Sequence, residues 1–289
     1  MSTATTSRAS ELVAGAESVS SPPIIYDRLM QVINDPRSGA ADMANVIGED
    51  QGLSARLLKL VNSAFFSLPW KVDTVTSAIQ VVGTSQVRDL AVATSVMTLF
   101  EDVPGDLLEL ETFWHHSFAC GVVARVLAGH RGEDNVERFL IMGLLHDVGR
   151  LIMVMNAGDD MRSALEAAQA TRQDLSECEA EHVGCTHSQV GGVLMDAWNF
   201  PPALNEAVRY HHQPRMADRF PVETATIHVA DLISNAMRWG RSGQASVPRL
   251  ENTAWQALGI EPALLPSLLD DAERQLEAAV DLISGSAGQ

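Results

Sequence analysis

Basic residues are scarce in this chain: 20 Lys and Arg stand against 37 Asp and Glu, a formal net charge of −17. Nucleic-acid backbones are held largely by basic groups that displace counterions, so this balance argues against DNA or RNA as a partner. Small anions are not excluded, because a local metal ion or arginine outweighs a distant acidic surface. Aromatic residues are few, at 5% against 46% hydrophobic residues overall. The core must therefore come from Leu, Val, Ile, Ala and Met, which favours packed helices over a broad β-sandwich. The three cysteines, Cys120, Cys178 and Cys185, are odd in number, far apart and without a CxxC pair, as expected in a reducing cytoplasm. No long apolar run is left unbroken: Phe139 to Met155 comes closest and is interrupted by His146, Asp147 and Arg150, so no membrane span is expected. A Gly-rich phosphate loop of the Walker or Rossmann kind is also missing.

What is present reads as helix after helix. The stretch through Ser21 lacks the basic start and apolar block of a secretion signal and reads as a loose tail. From Leu53, the positions Leu57, Leu60, Val61 and Phe65 recur at helical spacing up to Pro69. A second helix begins around Thr76 and Ser77 and stops at Gly83, after which Thr84 or Ser85 caps a third running to about Phe100. This pair superficially resembles a DNA-binding helix-turn-helix, but Lys and Arg are sparse on it, and two helices meeting at a Gly turn is the plainer reading. Asp102 to Asp106, with Pro104 and Gly105, marks a boundary. The expected division is a tail over 1–21, a helical part over 22–105, a histidine-rich helical part over 106–240 and C-terminal helices with a tail over 241–289.

His146 and Asp147 interrupt what otherwise reads as a fully buried helix, and burying an imidazole beside a carboxylate costs several kcal/mol, to an order of magnitude, unless each finds a partner. Further candidates lie in the same half: His115 and His116, His187, His211 and His212, and His228 with Asp231. Imidazole nitrogens and carboxylate oxygens are what a divalent first-row metal prefers, and Asp147 could bridge two such ions. Consecutive residues on a helix diverge by about 100°, so His211 and His212 are expected not to serve one ion equivalently. His228, three residues before Asp231, is expected to orient that carboxylate. Arg150 would pair either with a phosphate oxygen or with a helix-surface carboxylate. His115, His130 and His182 fall outside the pattern, and Cys185 with His187 is a poor nucleophile pair because residues two apart on a helix face different ways. Any one of these histidines alone is an ordinary core or surface residue; it is the set that points to a metal.

The chain resembles the HDOD family, a regulatory branch related to the HD superfamily of metal-dependent phosphohydrolases, over most of residues 22–240. The first half supplies IGEDQGLSARLLKLVNSAFF and SAIQVVGTSQVRDLAVA. The second supplies WHHS, GLLHDVGRL, THSQVGGVLMDAWNFP, AVRYHHQP and VADLI, in the family's order. The resemblance implies an all-α fold with an N-terminal helical subdomain packed on an HD-like one. It implies metal ligands at His116, His146, Asp147, His187, His211, His212 and Asp231. HD-GYP enzymes, which cleave cyclic di-GMP, follow their paired histidines with Glu and then Gly-Tyr-Pro; here Gln213 and Pro214 follow instead. Thr112, one turn before His116, lacks the carboxylate that some of those enzymes use for an additional metal. Cyclic di-GMP hydrolysis is therefore not expected. The main expectation is a cytoplasmic signal-transduction module with one or two ions of Fe, Mn or Zn, acting on an unnamed signalling protein or small anionic ligand. The alternatives are a metal-dependent phosphohydrolase, with Asp147 and Arg150 in its machinery, and a pure protein-interaction scaffold.

Overall fold

The structure, a computed structural model, describes residues 3–277 apart from 17, 18, 20, 21, 23, 36, 63–67 and 69. It is all-α, with sixteen α-helices and no strand among the described residues. In chain order these are α1 (Thr3–Gly15), α2 (Ile24–Asn34), α3 (Ala40–Gly48), α4 (Gln51–Val61), α5 (Val75–Val82) and α6 (Thr84–Leu99). Then come α7 (Leu110–Arg131), α8 (Glu137–Leu145), α9 (Val148–Asn156), α10 (Gly158–Thr171) and α11 (Leu175–His182). The last five are α12 (His187–Ala197), α13 (Pro202–Tyr210), α14 (Pro221–Met237), α15 (Asn252–Leu258) and α16 (Leu265–Glu277). The chain divides into two compact units, one of residues 1–21 with 102–272 and the other of residues 22–101 with 273–289.

The smaller unit holds α2 to α6 around Leu29, Met43, Ile47, Leu53, Leu57 and Phe100, all fully buried. Asp50 caps α4 by accepting the Leu53 N–H. That helix is shorter than its apolar stripe suggests. It stops at Val61 because Asn62 turns its side chain to the Leu58 carbonyl and to both backbone groups of Val72. Phe65, which extended the stripe, lies outside the described residues. The cap of α5 is Thr74, which accepts from Ser77 N–H, and not Thr76 or Ser77. Gly83, at φ 106°, ends α5 and starts α6 without any side-chain cap, in place of Thr84 or Ser85.

The larger unit contains the histidines, and it corrects the reading of the opening residues as a loose tail. Residues Thr3–Gly15 form a helix that packs on α9 and α12, with Ala9, Leu12 and Val13, and Ala16 just beyond its end, buried. Asn156 donates to the Leu12 carbonyl, and the Trp198 indole N–H donates to the Val19 carbonyl at 3.0 Å. The stretch 137–156 is apolar and long enough to cross a membrane by length and composition, but it is 89% buried within the protein and is split at His146–Asp147.

Two close approaches set this broken helix in place. A side chain at Gly143 would lie 2.4 Å from the Gly121 backbone of α7, and one at Gly149 would lie 2.1 Å from the His187 carbonyl of α12. The glycines flanking the His-Asp pair thus let three backbones meet where the polar residues converge. Gly149→Ala should push α9 off α12 and destabilise the protein by about 1–3 kcal/mol or more, since the contact is with backbone and has no soft rotamer to yield. Urea unfolding of the two proteins measures this; equal midpoints would contradict it.

Candidate metal centre

Three helices and two helix junctions deliver the site. Helix α7 carries His116 on its buried face. Helix α8 ends at Leu145, and His146 and Asp147 form the turn before α9. Asp147 sits where an aspartate would ordinarily cap a helix, yet its carboxylate accepts no α9 N–H and points into the site instead. Thr186 and Gln189 form a reciprocal capping box that makes His187 the first residue of α12. Helix α13 ends at Tyr210, placing His211 and His212 in the turn beyond it. Helix α14 supplies His228 and Asp231.

All seven expected ligands come together in two groups. His187, His211 and His212 gather around Asp147, and His116 and His146 gather with Asp231; within each group the donor atoms lie within 4.8 Å of one another. Asp147 faces both. Its Oδ1 lies 3.1 Å from His187 Nε2 and 3.8 Å from His211 Nε2, while its Oδ2 lies 3.3 Å from His146 Nε2 and 3.9 Å from His116 Nε2. Asp231 Oδ1 is 3.1 Å from His116 Nε2 and 3.4 Å from His146 Nε2. His212 is half-buried and the other six are buried.

Three imidazoles are anchored through Nδ1, which turns Nε2 inward. His146 donates to the Gly143 carbonyl at 2.6 Å, His211 to the Val208 carbonyl at 2.8 Å, and His187 to the Glu179 carboxylate at 2.6 Å. With Nδ1 carrying the proton, the inward nitrogens are lone pairs. Yet His187 Nε2 lies 3.3 Å from His211 Nε2 and 3.0 Å from His212 Nε2. Lone pairs that face each other need a proton or a cation between them. His146 Nε2 and Asp147 Oδ1 are buried without any hydrogen-bond partner. A tetrahedral ion with bonds of ~2.1 Å sets its ligands roughly 3.4 Å apart, close to these separations. Buried charge points the same way: Asp147, Glu179 and Asp231 oppose only Arg150, and an uncompensated charge of this kind is costly away from water. The residues fit a divalent metal.

Several expectations are corrected here. His211 and His212 do not diverge, because the helix ends before them; their ring centroids are 4.1 Å apart and both meet His187. His228 does not orient Asp231. Its Nε2 accepts the Glu251 N–H at 3.0 Å, so its Nδ1–H donates to the His211 carbonyl at 2.7 Å, and it fixes the histidine turn instead. Asp231 is oriented by Asn235, which donates at 2.7 Å. Arg150 is no helix-surface partner: it is 2% exposed and is bonded to Asp147, Glu179 and Ser242.

Glu179 is the functional residue that sequence reasoning missed. Fully buried on α11, it takes the backbone N–H of His187 at 2.8 Å and its Nδ1–H, and it pairs with Arg150 at 3.3 Å. Its signal was weak, since LSECEAEH is an acidic helix that reads as solvated. Ser242 and Asn235 were likewise unmarked.

In the metal-free protein, protons take up the charge imbalance. Burial opposes a charged His146, but the adjacent Asp147, aided by Asp231, holds its imidazole well above the ordinary value. Burial likewise works against the Asp147 carboxylate, yet Arg150, His146 and His187 keep its pKa well below the usual range. Asp231 is also burdened by burial and is held well below that range by His116 and His146. Burial and neighbouring imidazoles keep His211 far below its usual value, and bring His212 down to about 4, so both are neutral donors near pH 7. A raised His146 stabilises the metal-free fold fully below its unfolded value near 6.5 and loses that contribution as pH rises through the folded value. Metal must displace this proton. Metal uptake at pH 7 in weak buffer should therefore release protons, which an indicator dye reads; uptake without release would remove His146 as a ligand.

A helical unit that gathers histidines and aspartates from three helices and two helix junctions, one of them an HD turn, defines a module of the HD type. The HDOD domain model matches residues 19–214, more than half of the chain, and the chain belongs to that family. Asp231 falls beyond the matched segment. An HDOD domain protein of unknown function from Geobacter sulfurreducens has the same fold, with a TM-score of 0.82 and 23% identity over 96% of this chain and 98% of that one. A provisionally assigned phosphohydrolase from Shewanella amazonensis gives 0.71 and 22% identity over 96% and 98%. A provisionally assigned signal transduction protein from Marinobacter aquaeolei gives 0.70 and 20% identity over 91% of this chain and 59% of that one. An uncharacterized protein of Treponema pallidum is 24% identical over 86% of this chain, which spans about half the length of that relative.

Proposed function

We propose that the protein is an HDOD-type signal-transduction module of the cytoplasm whose HD site is a structural or regulatory metal centre. The observation that carries this reading is closure. His116, His146, Asp147, His187, His211 and Asp231 are buried, as is Arg150, and His212 alone of the seven is half-buried, whereas a catalytic metal keeps a position open to water and substrate. An ion bound there ties together α7, the α8–α9 turn, α12, the α13 turn and α14, and so stabilises one arrangement of the helices. Iron, manganese and zinc suit this nitrogen and oxygen donor set. The partner is a signalling protein or a small anionic ligand. Nucleic acid is disfavoured by the net charge of −17, and Arg88 on α6 is spent on Asp89 at 2.5 Å. A pull-down with wild-type protein and with a ligand-deficient variant such as His146→Ala tests the regulatory role. Partner binding that depends on the metal supports it; binding indifferent to the metal would reduce the protein to a scaffold.

One observation favours a second reading, a metal-dependent phosphohydrolase acting on a nucleotide or another phosphate ester. The two oxygens of Asp147 face separate donor groups, as a bridging carboxylate does in two-metal sites. Metal bound there would supply Lewis acidity and a water of lowered pKa. Among this chain's own residues, Arg150 is already bonded to Asp147, Glu179 and Ser242 and is not free to hold a phosphate oxygen. Metal-loaded protein that turns over any member of a broad phosphate-ester panel, with loss in Asp147→Asn, would overturn the regulatory reading.

A further inference from the structure

We propose that residues 240–244 form a latch that shuts the centre and can release it without the rest of the protein unfolding. The inference rests on the closed-centre reading above and names the segment that does the closing; it does not require an ion to be bound.

The latch follows the end of α14, belongs to no helix, and lies beyond the segment 19–214 that the HDOD model matches. It crosses three elements in turn. Gly240 runs against the first turns of α7, where a Cβ would come within 2.2 Å of the His116 backbone nitrogen and 2.5 Å of the Thr112 carbonyl oxygen. The Arg241 N–H donates to that same carbonyl at 2.9 Å. Ser242, 1% exposed, accepts from Arg150 Nη1 with its carbonyl oxygen at 3.1 Å and its hydroxyl at 2.6 Å. Gln244 then accepts the Leu175 N–H at 3.1 Å, one of the first-turn donors of α11 that has no partner within its own helix. Arg241 is exposed beside the buried Ser242, so the segment turns one face to solvent and the other to the centre.

What holds the latch is polar, and what shapes it is glycine. The backbone is left-handed at Arg238, φ 58°, and again at Gly240 and Gly243, φ 74° and 98°, which gives the chain its turns on and off the centre. Gly243 passes the Leu108, Leu165 and Leu175 side chains without one of its own to pack among them. The bonds to Thr112, Arg150 and Leu175 are ones that water can replace when the segment lifts. Gln244 Nε2 is buried with no hydrogen-bond partner, a cost that exists in the closed form and disappears on release. The helix beneath is held differently: Phe113, Ala119, Cys120 and Val122 of α7 are fully buried apolar residues. Lifting the latch is therefore a smaller step than unfolding the helices it covers. Once lifted, it leaves Arg150 without Ser242 and opens the centre to water. A ligand or partner that binds only the open form would draw the population toward it.

Side-chain labelling of metal-free, tag-free protein tests this, with phenylglyoxal for Arg150 and iodoacetamide for Cys120. Each rate is read by peptide mass spectrometry and expressed as protection relative to the urea-unfolded chain. Cys120, fully buried on α7, reports global unfolding. In the wild type, protection of Arg150 should be weaker than that of Cys120 by about tenfold or more. Gly240→Ala, whose methyl has no room against His116, should raise the Arg150 rate by about tenfold or more and leave Cys120 protected. Equal protection of the two groups in the wild type would overturn the proposal, because Arg150 would then be reached only through unfolding. A folded Gly240→Ala protein with the wild-type Arg150 rate would overturn it too. If that variant fails to fold, the wild-type ratio alone decides. Because the assay contains no ion, a failure of the metal-centre reading leaves its outcome unchanged.

Discussion

Loading with metal at a hundredfold excess over its dissociation constant should raise the melting temperature by about 5–10 °C, and excess chelator should return it to the metal-free value. The reasoning is mass action. An ion that binds the folded chain and not the unfolded one adds about 2.7 kcal/mol at that excess. A domain of 150–250 residues shifts by about 2–4 °C for each kcal/mol. The ligands lie far apart in sequence, from His116 to Asp231, so an unfolded chain offers the ion no comparable site. His146→Ala should abolish the shift without removing the ordinary apolar core. Calorimetry of the tag-free protein is the measurement; coincident curves with and without metal would remove any structural role for the ion.

Glu179→Gln should cost about 3–5 kcal/mol and weaken metal binding by about 10–100-fold, although Glu179 is not itself a ligand. The substitution preserves shape and removes one charge from a cluster in which nothing else can replace it. Glu179 alone holds the His187 imidazole through Nδ1, takes the His187 backbone N–H, and pairs with the buried Arg150. Burial disfavours its ionised form, but His187 and Arg150 keep its pKa below the ordinary value, so the charge is present at neutral pH. Glutamine leaves the guanidinium with Asp147 as its only carboxylate and draws Asp147 away from the metal. The exposed Glu166 on α10 is the matched control, for which the same change should fall within about 0.5 kcal/mol. Urea unfolding and a competition assay for metal give the two readouts; a Glu179→Gln protein as stable and as metal-retentive as the control would contradict this account.

How much of this was legible beforehand depended on whether the signal was local. The all-α fold followed from apolar spacing and punctuation, and the seven residues that converge in the two donor groups were named from family blocks in the right order. The helix Thr3–Gly15 was missed, although Ala9, Leu12, Val13 and Ala16 carry the i, i+3, i+4, i+7 spacing of a buried face. Small residues among Ser and Thr made that face look like tail composition. The end of α4 at Val61 was not foreseen, because nothing local marked that the Asn62 side chain would bracket Val72.

At the site, residue type was readable and contact partners were not. His211 and His212 were expected to part because their spacing was judged as if α13 continued; the helix stops one residue earlier, and the turn brings both rings to His187. His228 and Asp231 share a helix, which suggested that they touch, yet His228 serves the backbone of His211 and Glu251. Arg150 and Glu179 lie 29 residues apart and meet only because α9 and α11 converge on His187. A buried ion pair of this separation leaves no periodic trace in a sequence.

The central claim is that these buried histidines and aspartates hold a divalent ion, and bound metal per chain tests it most directly. Protein purified without a histidine tag and without chelator should carry near-stoichiometric metal by elemental analysis, and His146→Ala and Asp147→Ala should both lose it. A wild-type protein that stays metal-free after reconstitution with iron, manganese and zinc would contradict the claim and leave the cluster as a set of packing residues held together by protons.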